Sequence, residues 1–223
     1  MNEPSVALTD YVLAMISLGF AWNIYISVGK KNMLILLFCL FYLSGAVASF
    51  LGGTVHGFFV DKSTLGYHLL WVGTLLAIGI TAVSCWLLGG FFLHGPKQLS
   101  KWLIFSSGLF LIYAGAVIFY TQNFSLAVLN YLPAILFFLI VMIYKLIQTT
   151  ITSFRWIMIG ILISFLAAAV QQTGFNIHPT FLNHNSLYHL LQALGFWFIF
   201  IGARGLVTLD RSSLGFRSYP TAL

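Results

Sequence analysis

Apolar stretches long enough to cross a bilayer follow one another almost from end to end of this 223-residue chain, parted only by short polar knots. A spanning helix needs about 20 mostly apolar residues. Segments of that kind run at about Val6 to Val28, Met33 to Phe58, Leu65 to Phe92, Leu99 to Thr121, Phe124 to Ile147, Phe154 to Thr173 and Ser186 to Val207. Hydrocarbon offers no water to backbone N–H and C=O groups, so such segments must satisfy themselves as helices. Only 6% of the residues are charged and 60% are hydrophobic, whereas a soluble domain carries roughly 25% charged residues. Lipid is therefore the solvent for most of the chain. The predicted fold is all-α: one domain over residues 1–223, a bundle of seven transmembrane helices joined by short connections.

Charge orients the bundle. Lys30 and Lys31 fall in the first connection, Lys97 and Lys101 in the third, Lys145 and Arg155 flank the fifth, and Arg204, Arg211 and Arg217 follow or close the last span. The other face carries Lys62 alone, together with Glu3, Asp10 and Asp61. By the positive-inside rule this predicts an outside N-terminus and a cytoplasmic C-terminus. The net charge of +6 is thereby explained as topology, and no nucleic-acid partner is expected; membrane lipids are. Cys39 and Cys85 both sit inside apolar runs, which excludes a disulfide framework or a CxxC metal motif. The compact chain with short loops points to a bacterial-type plasma membrane. Pro133 should disturb the fifth span, and small residues such as Gly45, Gly73 and Gly108 mark expected close-packing faces.

The histidines are the chemically informative residues. In the topology above, His56, His68, His178, His184 and His189 lie on the outer side and only His94 on the inner. His56 is about one turn before the outer end of the second span, His68 about one turn into the third, and His189 about one turn into the seventh. Polar groups at that depth are costly, so they face the bundle interior, a cavity or one another. Imidazole is the commonest zinc ligand, and a catalytic zinc needs three protein ligands and an open position for water. Asp10, Asp61, Gln171, Gln172 and Gln192 are candidate supporting groups. Asn183 to Ser186 offers N-cap residues for the last span. His184 precedes His189 by five residues, about 140° around an ideal helix, so it joins the same site only if the helix starts after it. His178, beside Pro179, is expected to be solvated, and His94, beside Gly95, to be a turn residue.

Three short motifs resemble the CREST superfamily of seven-span membrane proteins, which includes alkaline ceramidases and the progestin and adipoQ receptors. Gly52-Gly53-Thr54-Val55-His56 is similar to its Ser-xxx-His motif, Ser186-Leu187-Tyr188-His189 to the second half of its His-xxx-His motif, and Leu65-Gly66-Tyr67 to its Leu-Asp-Tyr. Gly52 stands at the family's Ser position, Gly66 at its Asp, and Asn185 at its first seventh-helix His. A similar NHN-xx-[YF]-H segment also occurs in uncharacterised bacterial seven-span proteins. The CREST resemblance implies a zinc ion held by histidines and hydrolysis of a lipid amide.

The sequence therefore predicts a zinc-dependent hydrolase acting on a lipid-like amide or ester from the outer leaflet. His56, His184 and His189 are the expected ligands, with Asp10 or His68 polarising the water or completing the shell. The competing expectations are a proton- or cation-handling transporter and a non-enzymatic membrane subunit.

Overall fold

The computed structural model describes residues 1–27 and 32–209. Val28, Lys30 and Lys31, and the basic tail with Arg211 and Arg217, lie outside the described residues. Every predicted span is a helix: α1 (Pro4–Ile26), α2 (Met33–Phe58), α3 (Leu65–His94), α4 (Leu99–Phe119), α5 (Phe124–Gln148), α6 (Thr152–Thr173) and α7 (His184–Val207). All seven are long and apolar enough to cross a membrane, and large side chains such as Ile104, Ile112 and Phe119 on α4 are 75%, 75% and 87% exposed. An apolar surface of that extent is incompatible with water, so the chain is a polytopic membrane protein.

Side-chain caps begin several helices. Asn32, Thr64, Asn123 and Asn183 each accept a backbone N–H of the first turn of α2, α3, α5 and α7, satisfying donors that the helix itself leaves unpaired. Gly174 ends α6 in the left-handed region at φ 69°, a conformation that costs glycine nothing. Pro133 lies inside α5, which continues through it.

Six helices form a closed ring in the order α1, α2, α3, α5, α6, α7 and back to α1, while α4 packs on α3 outside it. The α6–α7 seam is made backbone to backbone. A Cβ added to Gly160 would stand 2.5 Å from the Gly195 carbonyl oxygen, and one added to Gly195 would stand 2.8 Å from that of Gly160. Small residues permit this close approach where burial of oily side chains gives no driving force. Of the glycines predicted to pack closely, Gly45 meets Phe196 and Gly73 meets Leu51, whereas Gly108 has open space around it because α4 presents that face away from its neighbours.

One end of the bundle is pinned by its N-terminal segment. The Asn2 N–H donates to the Gly57 carbonyl at 3.1 Å and the Glu3 N–H to the His56 carbonyl at 3.2 Å, while Ser5 Oγ donates to the Thr180 carbonyl of the α6–α7 connection at 3.0 Å. These bonds fix the start of α1 between the end of α2 and the start of α7. All the residues predicted to carry chemistry lie at this end.

Candidate functional site

Asp10 and His189 meet where α1 crosses α7. His189 Nε2 lies 3.1 Å from Asp10 Oδ1, and both residues are buried, at 8% and 4% exposure. The other ring nitrogen, Nδ1, lies 3.2 Å from Thr9 Oγ1. Thr9 Oγ1 also lies within donating distance of the carbonyls of Ser5 at 2.9 Å and Val6 at 3.0 Å. When the hydroxyl donates to the backbone it accepts from the ring, and Nδ1 then carries a hydrogen. In that tautomer Nε2 and Oδ1 face one another across a single proton. The pair is either imidazolium and carboxylate or neutral imidazole and carboxylic acid, and it is net neutral in both forms. Neutrality is what allows two ionisable groups to be buried at this depth.

A cavity of about 270 Å³ opens beside the pair, lined among others by Asp10, His56, Trp71, Asn185 and His189. The second carboxylate oxygen of Asp10, Oδ2, accepts no hydrogen bond among the described residues. Gly52 faces it: a Cβ there would lie 3.6 Å from Oδ2. Its neighbour Gly53 is where α2 touches α1, since a Cβ on it would come within 2.8 Å of Asp10 Cβ and 3.2 Å of the Ala7 carbonyl oxygen. Hence Gly53 lets α1 approach α2 closely enough to set the carboxylate at the cavity wall, where a Cβ on Gly52 would be in ordinary contact with it.

Deeper in the bundle a second space of about 130 Å³ shares Leu13, Ala48, Ser49, Ile78, Phe124, Gln171 and Tyr188 with the first. Its walls are mostly apolar, with Tyr131, Phe165 and Phe196 among them. Gln192 Nε2 donates to Ser164 Oγ at 3.0 Å at this depth, so the amide is tied into the α6–α7 seam. The two spaces together make a cleft with a polar mouth and an oily interior.

The remaining predicted residues separate. His56 lines the cavity, and its Nδ1 pairs with Glu3 Oε2 at 2.5 Å. His68 is exposed and its Nδ1 lies 3.1 Å from Gln122 Oε1. His184 is the first residue of α7, capped by Asn183, so the helix does not start after it. Its backbone N–H and its Nδ1 both face Asn176 Oδ1, at 2.7 and 3.1 Å, away from the cavity. The expected trio His56, His184 and His189 is thus not gathered at one point, and His68 stands apart from Asp10. Among the described residues no group of three or more His, Cys, Asp or Glu side chains is placed to hold a metal ion. As arranged, the donors do not form the three-ligand set of the open zinc site that the resemblance implies.

Two partners escaped the sequence reading. Thr9 pairs with Nδ1 of His189, and its adjacency to Asp10 was the available signal. Glu3 precedes the first span and reaches His56 only through the pinned N-terminal segment, which no motif announces.

Neither a curated protein nor a solved structure matches the chain. Residues 5–208 do match one family model, described as Family of unknown function (DUF6962). That match spans all seven helices, and this seven-span membrane protein therefore belongs to the DUF6962 family.

Proposed function

We propose that the protein takes a lipid-like molecule from the membrane into the cleft and hydrolyses its amide or ester group by acid–base chemistry at Asp10 and His189. The observation that carries this is the buried Asp10–His189 pair at the polar mouth of a cleft whose interior is oily. An amphiphile is the ligand class that suits both parts, its polar group against the pair and its apolar part between α5 and α6. The resemblance of the His56 and His189 motifs to the CREST superfamily supports an amide or ester as the reacting group.

The step balances within the pair. With His189 as imidazolium, the free oxygen Oδ2 of Asp10 takes a proton from water as the water oxygen bonds to the carbonyl carbon. The same oxygen returns that proton to the leaving nitrogen or oxygen as its bond to carbon breaks. The π pair of the attacked carbonyl moves onto its oxygen, and the neighbouring imidazolium, which holds Asp10 ionised beforehand, offsets the negative charge that gathers there until the leaving group departs. The basic residues Lys97, Lys101, Lys145, Arg155 and Arg204 all lie at the opposite end of the bundle, which supports an extracytoplasmic mouth opening to the outer leaflet.

Mass spectrometry of lipid retained by the purified protein tests the binding step. Wild type should carry an amphiphile that is lost in Ala48→Phe, a substitution that fills a position lining both spaces. Equal retention in the two proteins would defeat the proposal.

Zinc is a second reading, favoured by one arrangement. Glu3 accepts from Nδ1 of His56 and leaves its Nε2 as a possible ligand, the carboxylate–histidine pattern found behind metal ligands. His56 would then have to converge with Asp10 and His189. Stoichiometric metal in wild type, absent from both His56→Ala and His189→Ala, supports this reading; metal-free wild type purified without chelators rejects it.

A further inference from the structure

At the end of the bundle opposite the Asp10–His189 pair, α3 stops at Gly95, whose φ of 77° turns the chain into the short 3-10 turn Pro96–Gln98 and on into α4. A groove of about 340 Å³ lies there, lined by His94, Gln98, Lys101, Trp102 and Phe105. Trp102 is held rigidly, its ring covering Gly90 and stacking on Trp86 at 6.2 Å and on Phe137 at 4.9 Å. From that position its indole N–H donates to His94 Nδ1 at 3.2 Å. An Nδ1 that accepts fixes the proton of the neutral ring on Nε2, which becomes a donor.

The groove therefore combines an imidazole N–H, the Lys101 ammonium and the Gln98 amide. His94 and Lys101 are exposed, and Lys101 has no carboxylate partner among the described residues. The described acidic residues, Glu3, Asp10 and Asp61, are at the other end of the molecule. Trp102, Phe105, Leu109 and Ile112 continue from this polar head along one face of α4 at helical spacing, and the last three are 46%, 36% and 75% exposed.

We propose that this groove binds the phosphodiester headgroup of an anionic phospholipid, with His94, Gln98 and Lys101 on the phosphate and an acyl chain lying along Phe105, Leu109 and Ile112. A basic pocket between spans at the membrane boundary is the usual form of such a site. The oily track leading from it favours a lipid over a soluble phosphate.

Thermal unfolding of the full chain in neutral detergent tests the assignment. Dioleoyl phosphatidylglycerol should raise the melting temperature, while dioleoyl phosphatidylcholine and inorganic phosphate should leave it unchanged. Lys101→Gln should reduce the phosphatidylglycerol shift by about 2–4 °C, His94→Phe should reduce it as well, and Lys62→Gln, at the opposite end, should retain it. An equal rise with phosphatidylcholine, a rise with inorganic phosphate alone, or a full shift in Lys101→Gln and His94→Phe would overturn the proposal.

Discussion

At the residue scale, the defining feature is a buried carboxylate paired with a buried imidazole. Nδ1 of His189 faces Thr9, whose hydroxyl also reaches backbone carbonyls, and Nε2 faces Asp10. Two substitutions of the same carboxylate separate structure from chemistry. In Asp10→Asn the amide donates to Nε2, every buried group stays paired, and stability should change by less than about 1 kcal/mol. In Asp10→Ala the ring loses its partner while still buried, and the loss should be about 2 kcal/mol. Thermal unfolding of the two variants checks this, and equal destabilisation would show that the shared proton is not what matters there. The histidine and the carboxylate were both legible as candidates, because an ionisable group within an apolar run is costly and demands a reason. Their pairing was not. A helix that is oily all round has no polar face to tell which way a given residue points, so His184 and His68 looked as eligible as His189.

At the scale of elements, the spans could be read from the sequence almost to their ends, since length and hydropathy alone decide whether a segment crosses hydrocarbon. Where the ends moved, a specific group moved them. Asn183 rather than a later residue caps α7, which brings His184 into the helix and turns it toward Asn176. Packing was legible only in part. Gly160, Gly195 and Gly202 form the tight α6–α7 seam, and a Cβ on Gly202 would fall 2.5 Å from the Ser153 carbonyl oxygen, yet nothing in their local sequence distinguishes them from Gly108. The difference lies in which faces the ring brings together. Gly195→Ala should therefore cost about 1–3 kcal/mol through forced separation of two backbones. Gly108→Ala, free of neighbours and inside a helix, should be neutral or stabilise by up to about 1 kcal/mol. Chemical or thermal unfolding in detergent ranks the pair, and the reverse order would refute the seam.

At the scale of the whole molecule, the ring of six helices explains how a small membrane protein keeps a cleft open. The small residues of α2 and the α6–α7 seam draw backbones together, while α5 closes the ring against α3 and α6. The charge distribution predicts that the mouth of this cleft faces outward. Cys39 and Cys85 are buried, so single cysteines at the connections report orientation without interference. In intact cells Ser63→Cys should react with a membrane-impermeant thiol reagent and Ser100→Cys should react only after the membrane is opened; the opposite pattern would invert the topology. The central claim joins all three scales, because the pair, the glycines beside it and the oily interior serve one reaction only if a lipid-like substrate reaches Asp10. The most direct measurement is release of fatty acid from a panel of lipid amides and esters by purified wild type and Asp10→Asn, both verified as folded. Turnover by wild type that falls by about 10²–10⁴-fold in the variant is the predicted result, whereas turnover unaffected by the substitution, or none by wild type on any member of the panel, would contradict it.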